Sequence, residues 1–441
     1  MKVLIISHNV IGSSTNLGVT LANTFQGFGA ENIAQLYVRN EIPSEQNVCK
    51  DYFRITDKEA MIGVLSRRVI GTEYSESLSV STNGQSTSVK DNALERIRMI
   101  RRNPLVDGGR DLYWALCPWL SDHLKDWLKR IAPDIVFFTG GDYAFSYKMA
   151  LRVAQVIHKP LIIACYDDFF FYIKNGNTLL GRFRHRLFMR TVEKAIHYAS
   201  GIIAICDTMA KDYHERFHKE CTVLYSPVVQ MDIGLDSSSK SIVYFGTMGL
   251  GRDDQLVSIG KAVAATSEIT GIDHIDIYTS EKRKEALDKM TKKNGIILHP
   301  AVSRTEMLKI LSHSIAVIHT ESFEPEIQKR VQYSISTKIP EALSYGPCLL
   351  AYGPARVASI AYLEENKAAY VITKKDELEQ KIVELLTNAR LREQTIKRAR
   401  CLARENHNSA VNTNRLIRCF ENAITKYQEK DGDTIEFRSA Q

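Results

Sequence analysis

The sequence predicts an α/β protein built from two doubly wound parallel-sheet domains that face a cleft. Three observations predict it. Short apolar runs alternate with helical patterns along most of the chain. The runs fall into two sets of about six, and a stretch at 231–240 containing Gly234 and three successive serines separates the sets. At 441 residues the chain exceeds what a single hydrophobic core usually serves.

Strands are expected at 3–7, 33–37, 135–139, 161–165, 201–205 and 222–225 in the first half. In the second half they are expected at 241–245, 274–278, 295–299, 315–319, 347–351 and 369–372. Each is a short, nearly continuous apolar run, the form a strand takes when helices cover both faces of its sheet. The two halves therefore read as Rossmann-like domains over 1–230 and 241–405, joined by a linker at 231–240. Helical patterns continue to about 427, and the polar segment 428–441 reads as a loose tail.

Residues 50–130 break this rhythm and read as an irregular basic insertion. Within it, 72–88 is rich in Ser, Thr and Gly and looks like a loop. Next comes a cationic stretch with Arg96, Arg98, Arg101 and Arg102, then Trp114, Trp119 and Trp127 on a helical pattern. The insertion is either an acceptor- or membrane-facing lobe, or a solvated basic face over core tryptophans.

Composition narrows the class. A hydrophobic content of 44% and a charged content of 25% are those of a soluble globular protein. The net charge of +7 suits an anionic substrate or an anionic membrane face, and does not single out nucleic acid. No run approaches the roughly 20 apolar residues of a membrane span, and the apolar run at 3–7 is too short for a signal peptide. The expected location is the cytoplasm, with any contact at the inner face of the cell membrane peripheral. The eight cysteines are scattered with no CxxC spacing, which suggests neither a metal site nor a redox motif and fits a reducing compartment. No metal or cofactor is expected, and nothing in the sequence sets the oligomeric state.

Ligands of doubly wound sheets bind at the carboxyl ends of the strands, so the segments after each strand are the candidates. After 3–7 comes a small polar loop with Gly12 and Ser13, whose backbone N–H groups can meet a ligand's oxygens. It lacks the GxGxxG pattern, as does the second half, which argues against a nicotinamide-dependent oxidoreductase. After 241–245 come Gly246, Thr247, Gly249 and Gly251, then Arg252. The glycines let backbone approach a ligand and Arg252 can pair with a diphosphate, unless the segment is a plain turn with a solvated arginine.

The sharpest segment is 334–347. Ser336 or Thr337 can cap a helix, and Pro340 is tolerated only in its first turn. Uncapped first-turn N–H groups attract a phosphate, Lys338 adds charge, and Glu341 one turn in can accept from ribose hydroxyls. Paired carboxylates at Asp167 and Asp168 follow the strand 161–165. They can hold an acceptor or sugar hydroxyl, or else cap a turn before Phe169. Asp142, after Gly140 and Gly141, carries the same ambiguity. Arg182, Arg184, His185, Arg186 and Arg190 form a basic cluster, either drawn to a phosphate-linked lipid acceptor or a solvated helix face.

The run 336–354, Ser-Thr-Lys-Ile-Pro-Glu-Ala-Leu-Ser-Tyr-Gly-Pro-Cys-Leu-Leu-Ala-Tyr-Gly-Pro, resembles the donor-site motif of retaining glycosyltransferases of the B fold, those similar to family 4. Segments 198–209, 223–228, 299–302 with 306–311, and 403–416 resemble further parts of that family in the right order. The resemblance covers most of the chain except about 50–130. It implies a nucleoside-diphosphate sugar in the second domain, UDP- or GDP-linked, with Lys338 and Arg252 on the diphosphate and Glu341 on the ribose. It also implies a late helix, 406–427, crossing back to the first domain, a glycan or lipid-linked acceptor, and a setting in bacterial surface-polysaccharide synthesis. The family places two glutamates eight positions apart. Here the first position is Tyr333, with Glu321 and Glu324 upstream at the wrong spacing. That departure leaves open a second reading, a transferase-like binding or scaffold subunit without activity.

Overall fold

The computed structural model describes residues 1–441 except 14, 44–47, 67–69, 75–103, 172–177, 237 and 440–441. The chain forms two compact units. The first comprises Met1–Ala204, Ala210–Val223 and Thr413–Gln441, and the second Ile205–Met209 and Leu224–Asn412.

The first unit holds an eight-stranded sheet in the order β4-β3-β2-β1-β5-β6-β7-β8. Its strands are β1 (Val3–Ser7), β2 (Ile33–Tyr37), β3 (Asp51–Arg54), β4 (Thr72–Tyr74), β5 (Ile135–Thr139), β6 (Leu161–Cys165), β7 (Gly201–Ala204) and β8 (Cys221–Val223). Every residue of β1, β2, β5 and β6 is buried, which is why these strands read as continuous apolar runs. All pairings are parallel except β3 with β4.

The strands β3 and β4, at one end of the sheet, correct the expectation of about six strands in this half. They are only four and three residues long, and only Tyr52 and Phe53 among them are buried, so no apolar run marks them. The region 50–130 is likewise not irregular where it is described, for it also contains the helices Asp57–Ser66, Pro104–Leu116 and Asp122–Ile131. Trp114 and Trp127 are 1% and 0% exposed, so they are core residues. The indole of Trp114 donates to Asp57 Oδ1 at 2.8 Å, and Trp127 packs on Phe53 with ring centroids 5.4 Å apart. Thr72–Tyr74 of the expected loop is strand; the rest of that loop, and Arg96, Arg98, Arg101 and Arg102, lie outside the described residues.

The second unit holds a six-stranded, all-parallel sheet in the order β11-β10-β9-β12-β13-β14. Its strands are β9 (Ser241–Phe245), β10 (Ile275–Thr279), β11 (Ile296–Pro300), β12 (Ser314–Thr320), β13 (Cys348–Tyr352) and β14 (Tyr370–Ile372). The chain runs outward from β9 to β11 and then returns to β12 on the other side. This places a topological switch point between β9 and β12, where a doubly wound sheet binds its ligand. Ile242, Leu256, Ile277, Ile318 and Leu350 lie in one buried apolar cluster that fixes the two strands.

The unit boundary falls at Leu224, ahead of the expected linker. The segment 224–240 is tied into the second unit: His407 bonds the Ser226 carbonyl at 2.8 Å, and the Asp236 amide donates to the Ser312 carbonyl at 2.8 Å. The last helix, Ser409–Ser439, starts where Asn408 Oδ1 accepts the Val411 amide. From Thr413 it belongs to the first unit, where Phe420 meets Phe25 and Phe137. It continues through 428–439, where the polar composition suggests a loose tail; that stretch contains no proline to stop it.

Candidate functional site

The loop after β9 is shaped around a lysine. Gly246 has φ of 133°, a conformation that L side chains rarely adopt, and a Cβ there would lie 1.7 Å from Lys338 Nζ. The absent side chain is what lets the ammonium fold over the loop and donate to the Phe245 carbonyl at 2.7 Å. Desolvation of the ammonium against this loop pushes the Lys338 pKa down, with nearby Arg252 acting in the same direction. Gly249 imposes no such demand, since a Cβ there meets nothing within 4 Å. Thr247 is exposed and shares the pocket described below.

Arg252 opens the helix Arg252–Ala265 and turns back to β12. Its Nε donates to the Thr320 carbonyl at 3.2 Å, and its Nη2 to both oxygens of Glu321 at 2.9 and 3.1 Å. Glu321 is 1% exposed, and burial pushes its carboxyl pKa up while Arg252 opposes that shift. Thus Glu321 orients the guanidinium and is not available to a sugar. Glu324 is exposed at the start of the helix Pro325–Val331, and Tyr333 is buried.

The helix Lys338–Tyr345 departs from expectation at its first turn. Thr337 sits ahead of it but makes no side-chain cap. The Lys338 amide points to Ser336 Oγ at 3.4 Å, the Ile339 amide donates to the Ser336 carbonyl at 3.0 Å, and Pro340 has no N–H. The helix's own leading amides are therefore engaged or absent. The open donors are one step earlier: the amides of Ser336 and Thr337 have no protein acceptor among the described residues.

These groups surround a pocket of about 690 Å³, its open mouth included. Arg252, Thr247, Ser336, Lys338 and Glu341 line its polar part, and Met307, Leu311 and Val317 its apolar part. Cations, amides and an apolar wall in one concavity form a site for a ligand that is anionic at one end and flat or apolar at the other. Glu341 is held by Arg304 at 3.3 Å. His319, also in the lining, is 8% exposed and lies 3.1 Å from Ser359 Oγ and 3.6 Å from Glu321. Burial, then Arg252 and Lys338, push its pKa down to about 3, so it is a neutral group here.

That shift has a consequence for stability. Between about 6.5 and about 3 the unfolded chain binds a proton that folded His319 refuses, so stability falls as pH falls through this window. From pH 6.5 to 5 the loss is about 2 kcal/mol. His319→Gln is expected to flatten the pH dependence of the melting temperature over that range; an unchanged slope would contradict the assignment.

Residues 261–418 match the family model described as "Glycosyl transferase-like". No curated protein sequence matches the chain. Among solved structures, α,α-trehalose 6-phosphate synthase of Burkholderia multivorans is similar at a TM-score of 0.60 and 11% identity, covering 98% of each chain. HepE of Anabaena, in complex with UDP, is similar at 0.59 and 10% identity over 96% of this chain and 100% of that one. Sucrose-phosphate synthase of Thermosynechococcus elongatus is similar at 0.55 and 10% identity over 97% and 100%. The chain has the glycosyltransferase B fold, and the family match falls mostly within its second unit.

In the other half of this glycosyltransferase fold the predicted residues make local structural hydrogen bonds, and among the carboxylates Asp168 is the one buried in a cap. Gly12 donates its amide to the Gly18 carbonyl, Ser13 donates its amide to Val10, and Ser13 Oγ bonds Thr15 Oγ1. The loop after β1 thus offers none of the free donors expected at Gly12 and Ser13. Asp168 Oδ1 accepts the amides of Phe170 and Phe171 at 3.0 and 2.9 Å, which makes it the cap of the following turn. Exposed Asp167 accepts the Asp168 amide through Oδ1. The Asp142 carbonyl accepts Arg184 at 3.1 Å. Arg304, His319 and the clamping role of Glu321 escape sequence reasoning. No spacing or motif marks them, because their partners lie far away in the chain.

Proposed function

We propose that this protein transfers a sugar from a nucleoside diphosphate to a hydroxyl acceptor, with retention at the anomeric carbon. One observation carries the reading: within a glycosyltransferase-like domain, Lys338 and Arg252 share a single pocket at the sheet's switch point beside the open amides of Ser336 and Thr337. As the bond to the sugar breaks, the diphosphate gains negative charge. Fixed cations and amides stabilise that charge more than they stabilise the intact donor. Arg252 is pre-aimed by Glu321, so little reorganisation accompanies the step. The apolar wall at Met307 and Leu311 takes the base, and Glu341, held by Arg304, takes the ribose hydroxyls.

HepE is bound to UDP, which supports testing a UDP-linked donor first and a GDP-linked donor second. The acceptor is a glycan or a lipid-linked hydroxyl, in cytoplasmic assembly of a surface polysaccharide. Asp167 is the carboxylate proposed to contact it.

A thermal-shift series with UDP, GDP and their sugars tests the donor class, since ligands bound only by the native state raise its melting temperature. Glu341→Ala is expected to raise the donor KM about tenfold with kcat little changed, the pattern of an interaction made equally in ground and transition states; an unchanged KM removes the ribose assignment. Donor binding without release of nucleoside diphosphate in any acceptor mixture would favour the inactive binding subunit, a reading that Tyr333 in the first glutamate position keeps in play.

A further inference from the structure

The helix Leu179–Tyr198 of the first unit buries Phe188, Val192, Ala195 and Ile196 and turns a different set of apolar residues outward. Leu179, Leu180, Phe183 and Leu187 are 79%, 43%, 58% and 46% exposed. At 100° per residue these four fall within one arc of about 100° on the helix surface. Scattered surface leucines need no explanation, but four on one stripe of one helix do. The neighbouring helix Pro104–Leu116, joined to it by Arg184 pairing with Asp107 and Asp111, also exposes Leu112 and Leu116, at 62% and 63%.

The charge around the stripe is of one sign. Arg182, Arg186, Arg190 and Lys194 are exposed, and none has a side-chain partner among the described residues. The helix's single acid, Glu193, is spent on Arg216. Arg184 faces inward to its aspartates. Thus the basic cluster seen in the sequence divides: one arginine serves the fold, and the others border an uncovered apolar stripe.

We infer that this face docks on an anionic lipid bilayer, with Phe183, Leu187 and Leu179 in the acyl boundary and Arg182, Arg186 and Arg190 on the headgroup phosphates. An apolar stripe edged by unpaired cations is complementary to that surface and to no neutral one. The helix lies on the membrane and does not cross it: no helix among the described residues is long and apolar enough to span one. The inference stands apart from the donor pocket, which lies in the other unit.

The test is sedimentation of the full chain with vesicles of equimolar phosphatidylglycerol and phosphatidylcholine, against pure phosphatidylcholine. Wild-type protein is expected to pellet with the anionic vesicles and not with the neutral ones. An arginine near an anionic surface contributes about fivefold in partitioning, so replacing Arg182, Arg186 and Arg190 together by Ser is expected to lower binding on the order of a hundredfold. Phe183→Ser with Leu187→Ser is expected to lower it at least tenfold, with the melting temperature and nucleotide-induced shift of the wild type retained. Equal binding by these variants, or no binding of wild-type protein to anionic vesicles, overturns the inference. So does concentration-dependent self-association that Phe183→Ser abolishes in the absence of lipid, which would make the stripe a contact between copies of this chain.

Discussion

Lys338→Ala is expected to lower turnover on the order of a hundredfold, the usual cost of removing one fixed donor from a developing oxyanion. The geometry adds a sharper form of the same prediction. Gly246→Ala inserts a methyl group 1.7 Å from the place Lys338 Nζ occupies, at a backbone angle an alanine adopts only under strain. The lysine must leave. Gly246→Ala is therefore expected to lose as much activity as Lys338→Ala although it removes no charge. The double variant is expected to be no worse than Lys338→Ala alone, since both changes delete one interaction. Steady-state kinetics on the three variants checks this. Additive losses would mean that Gly246 acts by some route other than making room for the ammonium.

The second large effect is on stability. Glu321→Ala leaves Arg252, with a side chain only 21% exposed, without its carboxylate, and breaking such a pair costs about 3–5 kcal/mol. The melting temperature should fall accordingly. Replacing both partners by apolar residues of similar size, Arg252→Met with Glu321→Leu, is expected to restore most of the stability, because neither charge is then buried alone. It is not expected to restore turnover, because the diphosphate has lost a cation. A double variant that recovers activity with stability would show that Arg252 serves the fold only.

The parts of the molecule legible in the sequence are those fixed by local pattern. Strands β1, β5 and β6 and their counterparts β9, β12 and β13 sit in sheet interiors, so their burial writes itself as runs of Val, Ile, Leu and Phe. Strands β3 and β4 form the outer end of the sheet, are short, and leave no such trace. In the site, Gly246 and Lys338 are each visible as residue types suited to a phosphate. That one makes room for the other is a contact across more than ninety residues, and no spacing encodes it. Arg252 looks free in the sequence to pair with a diphosphate; its clamp on Glu321 depends on how β9 and β12 lie side by side. Asp168 shows the opposite case. Its two readings, cap and catalyst, have the same sequence signature, and only the bonds to Phe170 and Phe171 separate them.

Comparison of UDP with uridine, and of GDP with guanosine, by titration calorimetry on wild-type protein and Lys338→Ala tests whether this pocket holds the diphosphate by Lys338, Arg252 and the amides before the helix. A charge-assisted hydrogen bond to the diphosphate is worth about 1.5–3 kcal/mol, or roughly tenfold or more in affinity. With several such donors in the pocket, one nucleoside diphosphate is expected to bind wild-type protein at least about a hundredfold more tightly than its nucleoside. Lys338→Ala is expected to shrink that preference roughly tenfold or more while leaving the affinity for the nucleoside unchanged. Equal affinity of diphosphate and nucleoside in the wild type, or a preference untouched by removal of the Lys338 ammonium, would contradict this diphosphate site.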